Sequence, residues 1–83
     1  MEEAVKKAAL EILGRIAPEA DLHSLDPGRS FRDQFEFDSV DFLNFVLGLQ
    51  EKFQLTIPER DYPRLATLNG CLEYLTDQRL SEK

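Results

Sequence analysis

The chain of 83 residues holds one histidine, His23, and one cysteine, Cys71, so pairings of a nucleophile with a base have almost nothing to draw on. A zinc site needs three or four nitrogen or sulfur ligands, and two such residues at unrelated spacing do not supply them. His23 reads as an ordinary loop residue, and Cys71, on an apolar helix face, as a small core side chain. The four glycines are scattered and form no phosphate-cradling loop. What departs from plain packing is Phe37-Asp38-Ser39-Val40-Asp41. A serine stands there at the predicted start of a strongly apolar helix, where unpaired amides and the positive end of the helix dipole favour a phosphate ester on its hydroxyl. A serine at such a position can also simply cap the helix.

The elements that must position this serine follow from periodicity. Val5, Ala9, Ile12, Leu13 and Ile16 recur at helical spacing between Glu2 and Ala17, and Pro18 ends that helix because it cannot donate the next hydrogen bond. From Pro18 to Asp38 no period persists and Asp26-Pro27-Gly28 is turn chemistry, so a long loop is expected. Leu25, Phe31, Phe35 and Phe37 would bury against the helices and make it an ordered, packed connection. Asp38 is a favoured cap for the helix that follows. Its apolar stripe is read as Leu43, Val46, Leu49 and Phe53, with Phe42 and Phe45 beside them, running out near Gln54. Ile57-Pro58 leads a short helical piece through Glu59 to Tyr62, which Pro63 limits to about one turn. Thr67 caps a last helix with Leu68, Cys71, Leu72 and Leu75 on one face and Glu73, Asp77 and Gln78 on another, fraying after Leu80. The expected fold class is all-α: three longer helices, one short helix and a long ordered loop between the first and second, in a single domain over residues 1–83.

A net charge of -6 disfavours nucleic acid and anionic membrane as partners, since both require clustered Lys and Arg. No apolar run approaches a bilayer span. The opening MEEAVKKAALEILGRI alternates charge with apolar positions, unlike a signal peptide. A cytoplasmic protein is the expectation, meeting basic surfaces on other proteins.

Asp38-Ser39-Val40-Asp41 resembles the Asp-Ser-Leu motif of acyl carrier proteins, with valine replacing the usual leucine. The resemblance extends in register from Phe31 to Leu75. SVDFLNFVLGLQEKFQLTIPE is similar to the family's second helix and the Ile-Pro turn after it, and LATLNGCLEYL to its last helix with the preceding threonine. The N-terminal helix agrees only in pattern. The resemblance implies a four-helix carrier, not an enzyme, whose Ser39, beside Asp38, takes 4'-phosphopantetheine from coenzyme A through a phosphopantetheinyl transferase. The arm's thiol would carry acyl groups as thioesters to loading and transferring enzymes with basic docking patches. Tethering makes transient docking sufficient.

For docking, Asp41 and Asp38 stand nearest the arm, with Glu36, Glu51, Glu59 and Asp61 further out; Val40 and Leu47 resemble the family's exposed apolar contacts. The plain alternative for these acids is a solvated helix face. Asn44 stands where carriers of fatty acid synthesis usually have glutamate, and Gly48, Gln50 and Lys52 leave this helix less acidic. These departures point to a specialised lipid or secondary-metabolite pathway. A peptidyl or D-alanyl carrier would use the same arm, and an unmodified acidic helical adaptor would not. Pro63 shortens the third helix, and Phe42 and Phe45 add bulk to a core that leaves little room for a guest, so long acyl chains are expected to be poorly sequestered. A docking hub of this size is expected to be monomeric.

Overall fold

A computed structural model describes residues 2–81, with side chains over 3–77. Three long helices carry the fold: α1 (Glu2–Ile16), α3 (Ser39–Phe53) and α4 (Leu68–Ser81). Between them lie a single turn of 3-10 helix (Leu22–Ser24), the short α2 (Phe31–Gln34) and a longer 3-10 helix (Glu59–Leu65). The architecture is all-α, as expected. The expectation of fraying after Leu80 falls, beyond Ser81, outside the described residues.

α1 packs against both α3 and α4. Val5, Ala9, Ile12 and Leu13 meet Phe45, Val46 and Leu49 of α3 and Leu68, Cys71, Tyr74 and Leu75 of α4 in one buried cluster. Phe31 and Phe37, from the segment before α3, enter the same cluster. Phe31 lies edge-on to Phe45 with ring centroids 5.3 Å apart and to Phe37 at 5.7 Å, a geometry that sets positive ring edges against negative faces.

The segment from Pro18 to Asp38 is ordered and packed, but it contains helical turns that the sequence did not announce. Asp21 caps the first, accepting from Ser24 Oγ at 2.9 Å and His23 N at 3.1 Å, bonds that hold its carboxyl below the usual range. At Asp26-Pro27-Gly28 the chain turns as expected, with Arg29 N donating to Asp26 O at 3.2 Å. Gln34 braces that turn, donating from Nε2 to the carbonyls of Asp26 (2.8 Å) and Arg29 (3.0 Å) and accepting from Asp26 N (2.7 Å). The segment is stitched to the start of α4 where Phe31 N donates to Ala66 O at 2.9 Å and Asn69 N to Pro27 O at 3.0 Å.

Two further expectations are corrected. Leu43 is not part of the core: it is 44% exposed, because the buried stripe of α3 runs through Phe45, Val46 and Leu49, and Leu43 belongs instead with Val40 and Leu47 at helical spacing on the outer face. Pro63 does not end the short helix, which runs from Glu59 through it to Leu65. Proline has no amide to donate, but its carbonyl accepts from Ala66 N at 3.3 Å, so a further turn closes past it.

Both ends of the last connection are fixed locally. Gln54, at φ 52°, is left-handed and stops α3; Gln50 Oε1 then accepts from Ile57 N at 2.8 Å. Thr67 caps α4 as expected, its hydroxyl accepting from Gly70 N at 2.9 Å.

Candidate functional site

Asp38 opens α3. Its carboxylate accepts from Asp41 N at 2.8 Å while Asp38 N donates back to the Asp41 carboxylate at 3.3 Å, a reciprocal box that satisfies two otherwise unpaired donors. Capping is therefore performed by Asp38. Ser39 is the first residue inside the helix, exposed, and its hydroxyl makes no hydrogen bond among the described residues. The amides of Ser39 and Val40 also lack a protein partner there, leaving a positive helix end around a free hydroxyl. The reading of Ser39 as a simple cap does not hold.

Beside Ser39 opens a cleft of about 430 Å³. It is lined by Phe31, Phe37 and Phe42 and, from the 3-10 segment, by Tyr62, Pro63 and Ala66. Phe42 thus walls a cleft instead of filling the core, and its ring meets Tyr62 edge-on at 6.2 Å. Arg32 and Glu59 supply the charged groups of the lining. A second, more open concavity is lined by Arg32, Asp33, Glu36, Asp38 and Asp41.

The expected docking residues fall into separate groups. Val40 (65% exposed) and Leu47 (48%) project from α3, joined by Leu43, which the sequence reading placed in the core. Glu36 and Glu59 are exposed; Glu59 lines the cleft together with Ser39, and Glu36 lines a concavity together with Asp38. Asp41 is half-buried and held in the capping box. Asp61 is half-buried and accepts from Tyr74 Oη at 2.8 Å; its carboxylate is engaged inside the molecule and ties the 3-10 helix to α4. Burial and then the Asp61 carboxylate push the Tyr74 hydroxyl up. Glu51 lies away from Ser39, lining a groove with Glu11 and Arg15 of α1.

Two departures on α3 have packing reasons. A Cβ on Gly48 would stand 2.9 Å from Ile12 Cγ2, and Gln50 is spent on Ile57. Asn44 and Lys52 remain exposed. Arg32 and Tyr62 were not singled out from the sequence; the signal for Arg32 was a cation amid Asp33, Glu36, Asp38 and Asp41.

Cys71 is fully buried and its thiol donates to Leu65 O at 3.4 Å; burial pushes it up to about 12, so it is a core side chain without nucleophilic character at neutral pH. Among the described residues no helix is long and apolar enough to cross a membrane.

A helical domain thus presents an unbonded serine at a helix start beside an apolar cleft. Residues 3–75 match the family described as "Phosphopantetheine attachment site". The chain is 31% identical over 71 residues to an acyl carrier protein of Exiguobacterium sp., covering 86% of this chain and 84% of that protein. The chain belongs to the acyl carrier protein family. Its members are carriers, not enzymes, hold 4'-phosphopantetheine covalently, and interact with phosphopantetheinyl transferases and acyl-handling enzymes.

The site's groups fit such an arm: a free hydroxyl, two free amides and one guanidinium suit a phosphodiester, and the aromatic cleft suits apolar matter beyond it.

Proposed function

We propose that Ser39 carries the 4'-phosphopantetheine arm, and that residues 1–83 form one monomeric, cytoplasmic carrier domain for a specialised lipid or secondary-metabolite pathway. The observation that carries this reading is the Ser39 hydroxyl itself, exposed at the start of α3 and released from capping by Asp38. On the transferase, that oxygen attacks the pyrophosphate of coenzyme A. Its proton passes to a base of the transferase, and adenosine 3',5'-bisphosphate leaves. Once attached, the arm supplies a thiol that holds an acyl group as a thioester.

This chain's own residues do the rest. Asp38 and Asp41 fix the helix start and keep the attachment point rigid. Val40, Leu43 and Leu47 offer partners an apolar stripe, with Glu36, Glu59 and, more distantly, Glu51 as anionic flanks; such a surface favours fast, short-lived docking on basic patches. Asp61, spent on Tyr74, supports the cleft wall instead. The preference for a specialised pathway rests on Asn44 and Lys52, exposed on α3 where packing does not require them.

Intact mass tests the attachment. Coexpression with a broad-specificity transferase should add one arm to the wild type and none to Ser39→Ala, while thermal unfolding of Ser39→Ala stays within about 0.5 kcal/mol of wild type, as for other exposed positions. An unmodified wild type would leave an acidic adaptor as the better reading. Loading assays with acyl and aminoacyl ligases separate an acyl carrier from a peptidyl or D-alanyl carrier.

A further inference from the structure

We propose that Arg32 is the anion-holding residue of this site, its guanidinium taking the phosphodiester that joins the arm to Ser39. The inference rests on the reading of Ser39 given above. Arg32 is exposed on α2 and lines both the cleft beside Ser39 and the concavity lined by Asp38 and Asp41. It is, among the described residues, the only basic side chain lining either space. Among the described residues it makes no ion pair, although Asp33, Glu36, Asp38 and Asp41 share the concavity with it.

A phosphodiester on Ser39 places a negative charge beside Asp38 and Asp41, and like charges at that spacing repel. The helix end offsets part of this, but its free amides are only those of Ser39 and Val40, because Asp38 has taken the Asp41 amide. A planar guanidinium, with its fork of donors matched to two phosphate oxygens, offsets the remainder. None of the surrounding carboxylates claims it, so it is available to an incoming phosphate. Fixing the first atoms of the arm there would direct the remainder along the aromatic cleft, since Arg32 and Tyr62 line the same space.

The test compares apo and holo forms of the wild type, R32Q and R32K by nitrogen-15 spectra of the arginine Nε–Hε groups and by the phosphorus-31 resonance of the arm. On conversion to the holo form, Arg32 Nε–Hε should shift more than that of any other arginine. The phosphorus resonance should differ between wild type and R32Q, with R32K between them, and the difference should shrink at high salt. A wild type that gains the arm by mass yet leaves Arg32 unmoved, with the same phosphorus resonance in R32Q, overturns this inference alone. A wild type that gains no arm overturns it together with the reading of Ser39. If Arg32 moves only when the arm is loaded with a malonyl group, it holds the cargo's carboxylate, and the phosphodiester assignment is wrong.

Discussion

The side of the molecule where α1 meets α3 and α4 is filled, while the side where the 3-10 helix Glu59–Leu65 faces α2 and α3 is held open. On the first, Ala9, Leu13, Phe45, Val46, Leu49, Cys71 and Leu75 have no exposure at all. On the second, the elements are short, and beside the buried Phe31 and Leu65 they are held by polar ties: Gln34 to the Asp26 turn, Gln50 to Ile57, Tyr74 to Asp61. Apolar burial scales with area and brings surfaces together until no gap remains. Hydrogen bonds fix distance without demanding closure, so short elements tied this way can sit beside a cleft that a continuous apolar interface would close. Stability and function are thus drawn from different faces of one small protein.

Truncating one aromatic ring on each side probes that difference most strongly. Phe45→Ala removes a fully buried ring and should cost about 3–5 kcal/mol, enough to unfold a domain of marginal stability. Phe42→Ala removes a half-buried ring from the cleft wall and should cost under about 2 kcal/mol. Urea unfolding of both variants gives the two numbers, and equal losses would erase the distinction.

The junction between the faces comes next. Alanine normally favours a helix over glycine by about 1 kcal/mol, yet a Cβ on Gly70 would lie 2.0 Å from the Arg64 carbonyl oxygen. Gly70→Ala must therefore push the 3-10 helix away from α4 and destabilise by about 1–3 kcal/mol, as overpacking does. A stabilised variant would mean that the 3-10 helix moves aside freely. Tyr74→Phe is gentler: it deletes the bond to Asp61 at an expected cost of about 1 kcal/mol. Amide exchange should quicken at Asp61 and Ala66, whose amides donate within the 3-10 region, and stay unchanged at Ala17. Uniform quickening would show a global rather than a local effect.

The same division decides what the sequence could reveal. The long helices were legible to within a residue or so because each carries both a period and a stop: Pro18 after α1, Asp38 and Gln54 around α3, Thr67 before α4. Ser39 was legible as an exposed hydroxyl at a helix start because it stands directly after a cap. Leu43 was misplaced because α3 bears two apolar stripes, and a one-residue rotation separates them. Four residues of α2 and three of the first 3-10 turn are too short for any period to show. The cleft was not legible because it is a space left between three successive elements, whose mutual placement no local pattern records, and Arg32 and Tyr62 acquire meaning only as its walls.

The smallest effect tests the filled face against the tethered arm through their two thiols. Burial raises Cys71 from 9.0 to about 12, so the native state holds that proton more tightly than the unfolded state does. The contribution to stability is fully present below pH 9.0 and is lost as the pH rises toward about 12. At pH 8 it changes nothing measurable in unfolding, but it governs reactivity, since the thiolate is the nucleophile. Apo protein should therefore resist an alkylating reagent at pH 8 until denatured, whereas holo protein should take one equivalent at once, on the arm. Rapid alkylation of native apo protein at Cys71 would show that the filled face opens far more often than its burial implies, and the contrast between the two faces would fail.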